Sequence, residues 1–464
     1  MSETSYTSKR DYSQTFKTKA ENAIRRSLSM DLKVFEVKIQ INKCDITQKT
    51  FLSNVFLEAK WYYNDCLNFG LTEGKKPYKN DYTKKTVIHY DKDKNPIESE
   101  FQFLGTASKQ EINKRIGSNC KSIKTNLKNK NIKTSHGLKF KSEINSIPFR
   151  EFGNSWKFKG TKIKLAKCSK PFKINGLEQL QIDGIEFANA NLIQRPSGYY
   201  IQITCYIPKE QPKESNHMIA GLDLGCMDTV VGYIEEIDKS FKLNYCFEQS
   251  ERQIRTQRKL SRRQSKNLSN RTNKGLRLTK QNRKYFEHLN NQKKDAANKF
   301  VYDMKEFDRV IIQDEMLALW QKTGHGKKIN TGILGKLKTL LKKLPNVFVL
   351  DKTLPTSKFC FDCFHKNDSL KLWNREFICP YCGSKSDRDV HAAKNMIAFY
   401  HLIQMVPTEI HRDPKRLRKF VLELLSDIEK RVENNSSESI EESVFYCIQE
   451  LSEKHEAESL LDSQ

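Results

Sequence analysis

The chain has 464 residues, with 82 Lys and Arg against 56 Asp and Glu for a net charge of +26. That is more chain than one ordinary core organises, so two to four domains are expected, and the positive excess suits a partner with phosphates spread over a long surface. No apolar run approaches the length of a membrane span, residues 1–19 lack the apolar core of a secretory signal, and the twelve cysteines show no disulfide framework. A protein of a reducing cytoplasm, without a membrane partner, is therefore expected.

Residues 1–30 are polar and irregular and read as a flexible arm. Leu32 to Ile39 alternates apolar with charged residues, the period of a half-buried strand. From Gln48 the apolar positions Phe51, Leu52, Val55, Phe56, Ala59 and Tyr62 fall near helical spacing, and a Lys-rich, weakly periodic stretch follows. Residues 48–135 are read as a mostly helical insertion. Short strands with Gly and Pro turns return between Lys139 and Pro208, including Ile163 to Leu165 and Tyr199 to Ile207. Segments 31–47 and 136–210 are therefore expected to build one β-barrel, with a linker over 208–216.

The second half opens on an apolar strand, His217 to Gly225, that delivers Asp223 near its end. Thr229 to Ile234 and Phe241 to Phe247 continue it as a meander. Residues 251–284 then hold thirteen Lys and Arg against one acid, Glu251. So polar a helix either bridges solvent or lies on a polyanion. Val310 to Ile312 forms a buried strand ending at Asp314 and Glu315, Val347 to Leu350 forms another, and a helix follows Met396. Beyond Val421 the charge reverses, with twelve acids against Lys430, Arg431 and Lys454. Ile440, Val444, Ile448 and Leu451 keep helical spacing, so residues 421–464 read as an acidic helical tail.

Two chemistries stand out. Cys360/Cys363 and Cys379/Cys382 form two Cys-x-x-Cys pairs fifteen residues apart, the spacing at which four thiolates converge on one structural Zn²⁺. This defines a zinc ribbon over 355–384. Asp223, Glu315 and Asp389 sit at the ends of hydrophobic elements and converge if those elements pack together. Carboxylates suit hard divalent cations, and two Mg²⁺ ions so held support phosphodiester hydrolysis.

Gly221-Leu222-Asp223-Leu224-Gly225, Ile312-Gln313-Asp314-Glu315 and Cys360 through Met396, with its Asp-Arg-Asp-x-x-Ala-Ala-x-Asn, resemble the split RuvC-type, RNase H-like nuclease of the TnpB proteins and the compact type V CRISPR effectors. The resemblance covers about residues 217 to 400. It implies a multidomain α+β and α/β protein: a β-barrel wedge-like domain with a helical recognition insertion, and a C-terminal RuvC domain over 217–354 and 385–420 with the ribbon inserted. It further implies an RNA-guided endonuclease that cuts double-stranded DNA beside a short flanking motif. The partners would be a guide RNA and target DNA, bound by a monomer or by a homodimer on one guide.

Carried across, Asp223, Glu315 and Asp389 match the catalytic carboxylates that hold two Mg²⁺, and Arg375 resembles an arginine assisting at the scissile phosphate. Asp314 competes with Glu315, Asp387 competes with Asp389, and His391 stands where an Asn is commonest. Arg255, Arg258, Lys259, Arg262, Arg263, Lys266, Arg271 and Lys274, with Lys124 and Lys128 of the insertion, would hold nucleic-acid phosphates. Two other classes fit parts of the pattern: a guided DNA-binding repressor that does not cut, and a DNA transposase with an RNase H-like site. The intact acidic triad disfavours the first and the ribbon before the last Asp disfavours the second.

Overall fold

The computed structural model describes residues 12–90, 95–129, 137–209, 216–265, 272–322, 326–371, 373–411, 413–434 and 439–461. The chain divides into two compact units after Gln211. In the first, helix α1 (Tyr12–Ser29) leads into strand β1 (Met30–Ile39) and helix α2 (Ile46–Thr72); a hairpin, β2 (Thr86–Tyr90) and β3 (Pro96–Glu100), precedes α3 (Thr106–Lys128). Six strands follow: β4 (Ser146–Phe149), β5 (Trp156–Lys159), β6 (Lys162–Leu165), β7 (Phe172–Asn175), β8 (Glu186–Arg195) and β9 (Gly198–Pro208).

α2 starts where it does because Asp45 and Gln48 close a capping box: each side chain accepts the other's backbone N–H at 2.9 Å. Its apolar face buries Phe51, Val55, Ala59, Tyr62 and Cys66 against a seven-stranded sheet in the order β4-β8-β9-β1-β7-β6-β5. The edge strands β4 and β5 are consecutive in the chain with six residues between them, so the sheet curls almost shut around one core. Among the described residues no ladder joins its edges, so the expected barrel is an incomplete one.

Two expectations change here. Residues 12–29 are helical where an irregular arm was expected; Arg25 and Arg26 both pair with Glu186 of β8, tying the helix to the sheet. The insertion contains the β2/β3 hairpin, whose register runs from Thr86↔Glu100 to Tyr90↔Pro96. The buried Glu58 of α2 accepts the backbone N–H groups of Gln102, Phe103 and Leu104, fixing the turn after that hairpin. Residues 1–11, the end of the insertion at 130–136 and most of the linker, 210–215, lie outside the described residues.

The second unit begins with β10 (Ile219–Asp223), β11 (Val230–Ile234) and β12 (Lys239–Leu243), followed by helices α4 (Glu251–Ser265) and α5 (Asn273–Asp303). Then come β13 (Arg309–Gln313), the short helices α6 (Leu317–Trp320) and α7 (Gly326–Thr331), α8 (Leu334–Leu341) and β14 (Val347–Leu350). A hairpin of β15 (Glu376–Ile378) and β16 (Lys385–Asp387) runs straight into α9 (Arg388–Met405), and α10 (Thr408–His411), α11 (Pro414–Asn434) and α12 (Ile440–Leu461) complete the unit.

The five-stranded sheet has the order β12-β11-β10-β13-β14, with β10 antiparallel to β11 and parallel to β13, and β13 parallel to β14. Strand alternation divides the core in two. Leu222, Val310 and Ile312 pack with Phe300 of α5 and Leu337 and Leu341 of α8, whereas Ile311 packs with Met396 and Ile397 of α9. The expected domain edge at residue 420 falls inside α11. Phe420, Val421, Leu424, Leu425 and Ile428 form one buried stripe in the same cluster as α9, so the reversal of charge marks a solvated face and no domain edge.

Gly221 sets the distance between β10 and α9. A Cβ there would lie 2.1 Å from the carbonyl oxygen of Ala393 and 3.1 Å from Ile397 Cγ1, so only glycine admits the helix. Gly221→Ala is expected to destabilise the second unit by about 2 kcal/mol or more, in the range of overpacked cores. Urea unfolding followed by far-UV circular dichroism measures it, and an unchanged transition would contradict the close approach.

Candidate active site and metal centre

The four ribbon cysteines converge. The sulfurs of Cys360 and Cys382 are 3.7 Å apart, those of Cys363 and Cys379 are 3.5 Å apart, and all four lie within 4.8 Å of one another. A tetrahedral Zn²⁺ with bonds of roughly 2.3 Å separates its sulfurs by about 3.8 Å, whereas a disulfide needs about 2.05 Å. The donor set therefore fits one zinc, and the thiols are free. Each pair sits on the same turn: Phe364 N–H donates to Cys360 O and Gly383 N–H to Cys379 O, with Phe364 and Gly383 at positive φ. A hydrogen bond from Cys363 holds the Cys360 thiol below its ordinary range, and that pairing pushes Cys363 above it. Such sharing of protons among thiols ends when a cation takes their place.

The acidic residues meet at the end of the sheet. Leu222 and Ile312 are register partners on parallel strands, so Asp223 and the Gln313–Glu315 segment leave the sheet side by side. Asp389 lies one turn before Ala393, the residue against Gly221, which carries it to the same edge. Burial, then the charges of Asp389 and Glu315, push the Asp223 carboxyl up to about 7, with Arg388 opposing. Glu315 is raised by burial against the pull of Lys338, with the Asp314 charge adding to the rise.

The competing acids have other partners. Asp314 is held below the carboxylate range by Lys338 and Lys342, at 2.7 and 2.6 Å. Burial works to raise Asp387, yet Lys242 at 2.7 Å and the backbone N–H groups of Val390 and Asp389 hold it low, and it serves as N-cap of α9. Asp389 is flanked by Arg388 at 3.1 Å and by Arg375 of the ribbon at 3.5 Å. The Arg375 carbonyl accepts the Arg388 N–H, so the ribbon hairpin fixes both arginines beside that carboxylate.

A buried polar chain underlies this edge, and the sequence reading missed it. Gln313 donates to the carbonyls of Asp351 and Leu354 and accepts from the Thr356 hydroxyl. Asn395 donates to the carbonyls of Thr356 and Phe359. His391 donates from Nε2 to Phe359 O at 2.6 Å and accepts at Nδ1 from Ser386 Oγ at 2.9 Å, with its ring stacked 3.6 Å from Phe377. Burial lowers His391 to about 4, so it is a neutral strut. Asn and Gln amid apolar runs are the available signal: buried amides must find partners.

Arg255, Arg258, Lys259, Arg262 and Lys274 line the exposed side of the α4/α5 pair, with Arg255 also bridging Glu251. Arg263 is half-buried and donates to Thr272 Oγ1. Lys124 and Lys128 are exposed on α3 of the first unit. Lys266 and Arg271 lie outside the described residues. A groove of about 860 Å³ opens at Asp314 and Glu315, with Met316, Leu317 and Leu319 in its lining and Lys322, Lys338, Lys342, Lys343 and Lys352 around it.

Residues 343–396 match the family described as Cas12f1-like, TNB domain. Over 101 residues the chain is 31% identical to a Streptomyces pristinaespiralis protein that bears the name of an RNA-guided DNA endonuclease. That match takes in 20% of this chain and 25% of the relative, so the chain spans a quarter of that protein's length. Among solved structures, a Cas12f1–sgRNA–target DNA complex matches at 14% identity and a TM-score of 0.35, covering 63% of this chain and 71% of that one. A CRISPR-Cas12f ternary complex matches at 15% identity and a TM-score of 0.25, covering 76% and 85%. In this chain a carboxylate cluster lies beside a four-cysteine site. Over residues 343–396 the chain is similar to the Cas12f1-like TNB domain, and there the resemblance to the TnpB and compact type V group is borne out. No helix among the described residues is long and apolar enough to cross a membrane.

The raised Asp223 carboxyl has a measurable consequence. Its folded value exceeds the unfolded one, so the folded chain binds more protons between about pH 4 and 7, and stability falls as pH rises through that window. In Mg²⁺-free buffer, Asp223→Asn is expected to be more stable than the parent at pH 8 by on the order of 1–3 kcal/mol, to lose that advantage toward pH 4, and to lose it also when Mg²⁺ is added to the parent at pH 8. Thermal melts across pH measure all three.

Proposed function

We propose that the chain is an RNA-guided DNA endonuclease with one RNase H-like, RuvC-type site that cuts double-stranded DNA beside a short flanking motif. The single observation that carries this is Asp223, a carboxyl driven upward by burial and by two other acids. A site that accumulates negative charge away from solvent is poised for divalent cations. The donor set fits Mg²⁺: among the described residues the carboxylates of Asp223, Glu315 and Asp389 form no lysine ion pair of the kind that neutralises Asp314 and Asp387. Bound there, two Mg²⁺ would supply the charge that activates a water and stabilises the departing oxygen.

The protein groups do the placing. Glu315 is oriented through Lys338, which reaches its main-chain carbonyl while bridging Asp314. Arg375 presents its guanidinium fork at the rim, able to turn from Asp389 to a phosphate oxygen. The lysine-rimmed groove beside Glu315 suits a single strand, phosphates on the ammonium groups and bases on the apolar lining. Exposed cations of α4, α5 and α3 would hold guide and heteroduplex by their backbones, leaving sequence to base pairing.

The test is Mg²⁺-dependent cleavage of guide-matched duplex DNA by protein co-purified with RNA from its own locus. Asp223→Ala, Glu315→Gln and Asp389→Ala are each expected to lower the cleavage rate by about 100-fold or more, since even outer partners of metal ligands cost roughly 10–100-fold. Asp314→Asn is expected to cost less than these, no more than the roughly 10–100-fold of an outer partner, because its lysine partners make it a support. Tight guided binding without cutting under any divalent metal would overturn the nuclease reading.

A further inference from the structure

A second convergence of metal-ligating groups lies on the ribbon's other flank. His365 follows the first cysteine turn; Glu429 and Glu433 stand one turn apart on α11. His365 Nδ1 is 3.2 Å from a Glu433 oxygen and 3.6 Å from a Glu429 oxygen, and one donor atom from each residue fits within 4.8 Å of the others. A tetrahedral Zn²⁺ with nitrogen and oxygen bonds of about 2.0–2.2 Å separates its ligands by about 3.3–3.6 Å.

The nitrogen is shielded from solvent and has no hydrogen-bonded partner, although two carboxylates face it at contact distance. Ion-pair distance without hydrogen-bond geometry is what a shared cation between them explains. The surroundings are those of a built site. The imidazole is stacked on Tyr381 of the second cysteine turn, at 5.4 Å and 18°, and the Tyr381 hydroxyl donates to Val432 O. Lys366 N–H donates to Glu429 Oε1 at 2.8 Å, orienting that carboxylate as an outer partner orients a ligand. Glu433 remains 48% exposed, which leaves a face for water as a further ligand.

We propose that His365, Glu429 and Glu433 bind a second Zn²⁺, which pins α11 to the ribbon. One imidazole nitrogen and two carboxylates suit a borderline cation with an open coordination position. The ion would be structural, joining the C-terminal hairpin to the element that carries Arg375.

Cobalt substitution of the full chain separates the two sites, because only the four-cysteine site gives intense thiolate-to-cobalt charge transfer. Wild type held in excess Mg²⁺, which keeps cobalt out of the carboxylate site of the proposed function, is expected to retain two cobalt ions per chain by elemental analysis, with an added weak d–d band that lacks thiolate character. His365→Ala and Glu433→Gln are expected to retain one ion and the full thiolate band, which shows that the ribbon is intact, and to lose the weak band. One metal ion per chain in wild type would overturn the proposal in favour of a direct contact between His365 and the two glutamates. Two ions retained in both variants, or loss of both bands in Glu433→Gln, whose amide preserves packing, would overturn it as well.

Discussion

The second unit depends on how one stretch of irregular chain, residues 351–359, is held between a strand and a helix. Gln313 at the end of β13 grips it through the carbonyls of Asp351 and Leu354 and the hydroxyl of Thr356, and Asn395 and His391 of α9 grip it through the carbonyls of Thr356 and Phe359. Irregular backbone leaves carbonyls without ladder partners, and a buried one left bare costs about 1–3 kcal/mol. Side chains from the two elements that carry Glu315 and Asp389 satisfy them here. The ribbon's position and the spacing of the carboxylates are therefore consequences of one polar network, and Gly221 supplies the close helix contact that lets it form.

Electrostatics then sorts five acids into two sets. Asp314 and Asp387 each have a lysine at about the length of a strong ion pair, and Asp387 also caps a helix, so their charge is spent on holding the scaffold. Asp223 and Glu315 are left raised by burial first, Asp223 further by the charges of Asp389 and Glu315 and Glu315 further by that of Asp314. The lysine nearest Glu315, Lys338, reaches its main-chain carbonyl and bridges Asp314. Arg388 and Arg375 both lie against Asp389, at 3.1 and 3.5 Å, and the Arg388 charge also opposes the rise of Asp223.

The parts legible in the sequence share one property: their chemistry is local. Cys-x-x-Cys spacing, the strand alternation of β1 and β9, the apolar stripe of α2 and the acid-bearing end of β10 can each be read within about twenty residues. What escaped depends on partners distant in the chain. α1 looked irregular because Glu186, 160 residues on, is what Arg26 meets. Gln313 looked like an interruption between an apolar strand and its acid, when it is the clamp on the ribbon's approach. Asp314 and Glu315 could not be ranked without Lys338 and Lys342, contributed by a later helix.

The acidic tail shows the same limit from the other side. Its charge reversal suggested a separate segment, yet Phe420, Leu424 and Ile428 of α11 and Val444 and Leu451 of α12 share a core with Met396 and Phe399 of α9. Charge reports on the solvated face of a helix and apolar periodicity on the buried one, and the two need not change at the same residue. Two acids of the tail meet the ribbon, since the half-buried Glu429 accepts the Lys366 N–H and both Glu429 and Glu433 face His365. The tail is thereby joined to the unit by two unlike forces, an apolar stripe under the sheet's helix and a polar contact with the cysteine turns. Apolar contact reaches the ribbon as well, since Ile440 of α12 packs against the cluster of Cys360, Cys363, Phe377 and Cys379, so the polar contact adds to a join that the core already makes.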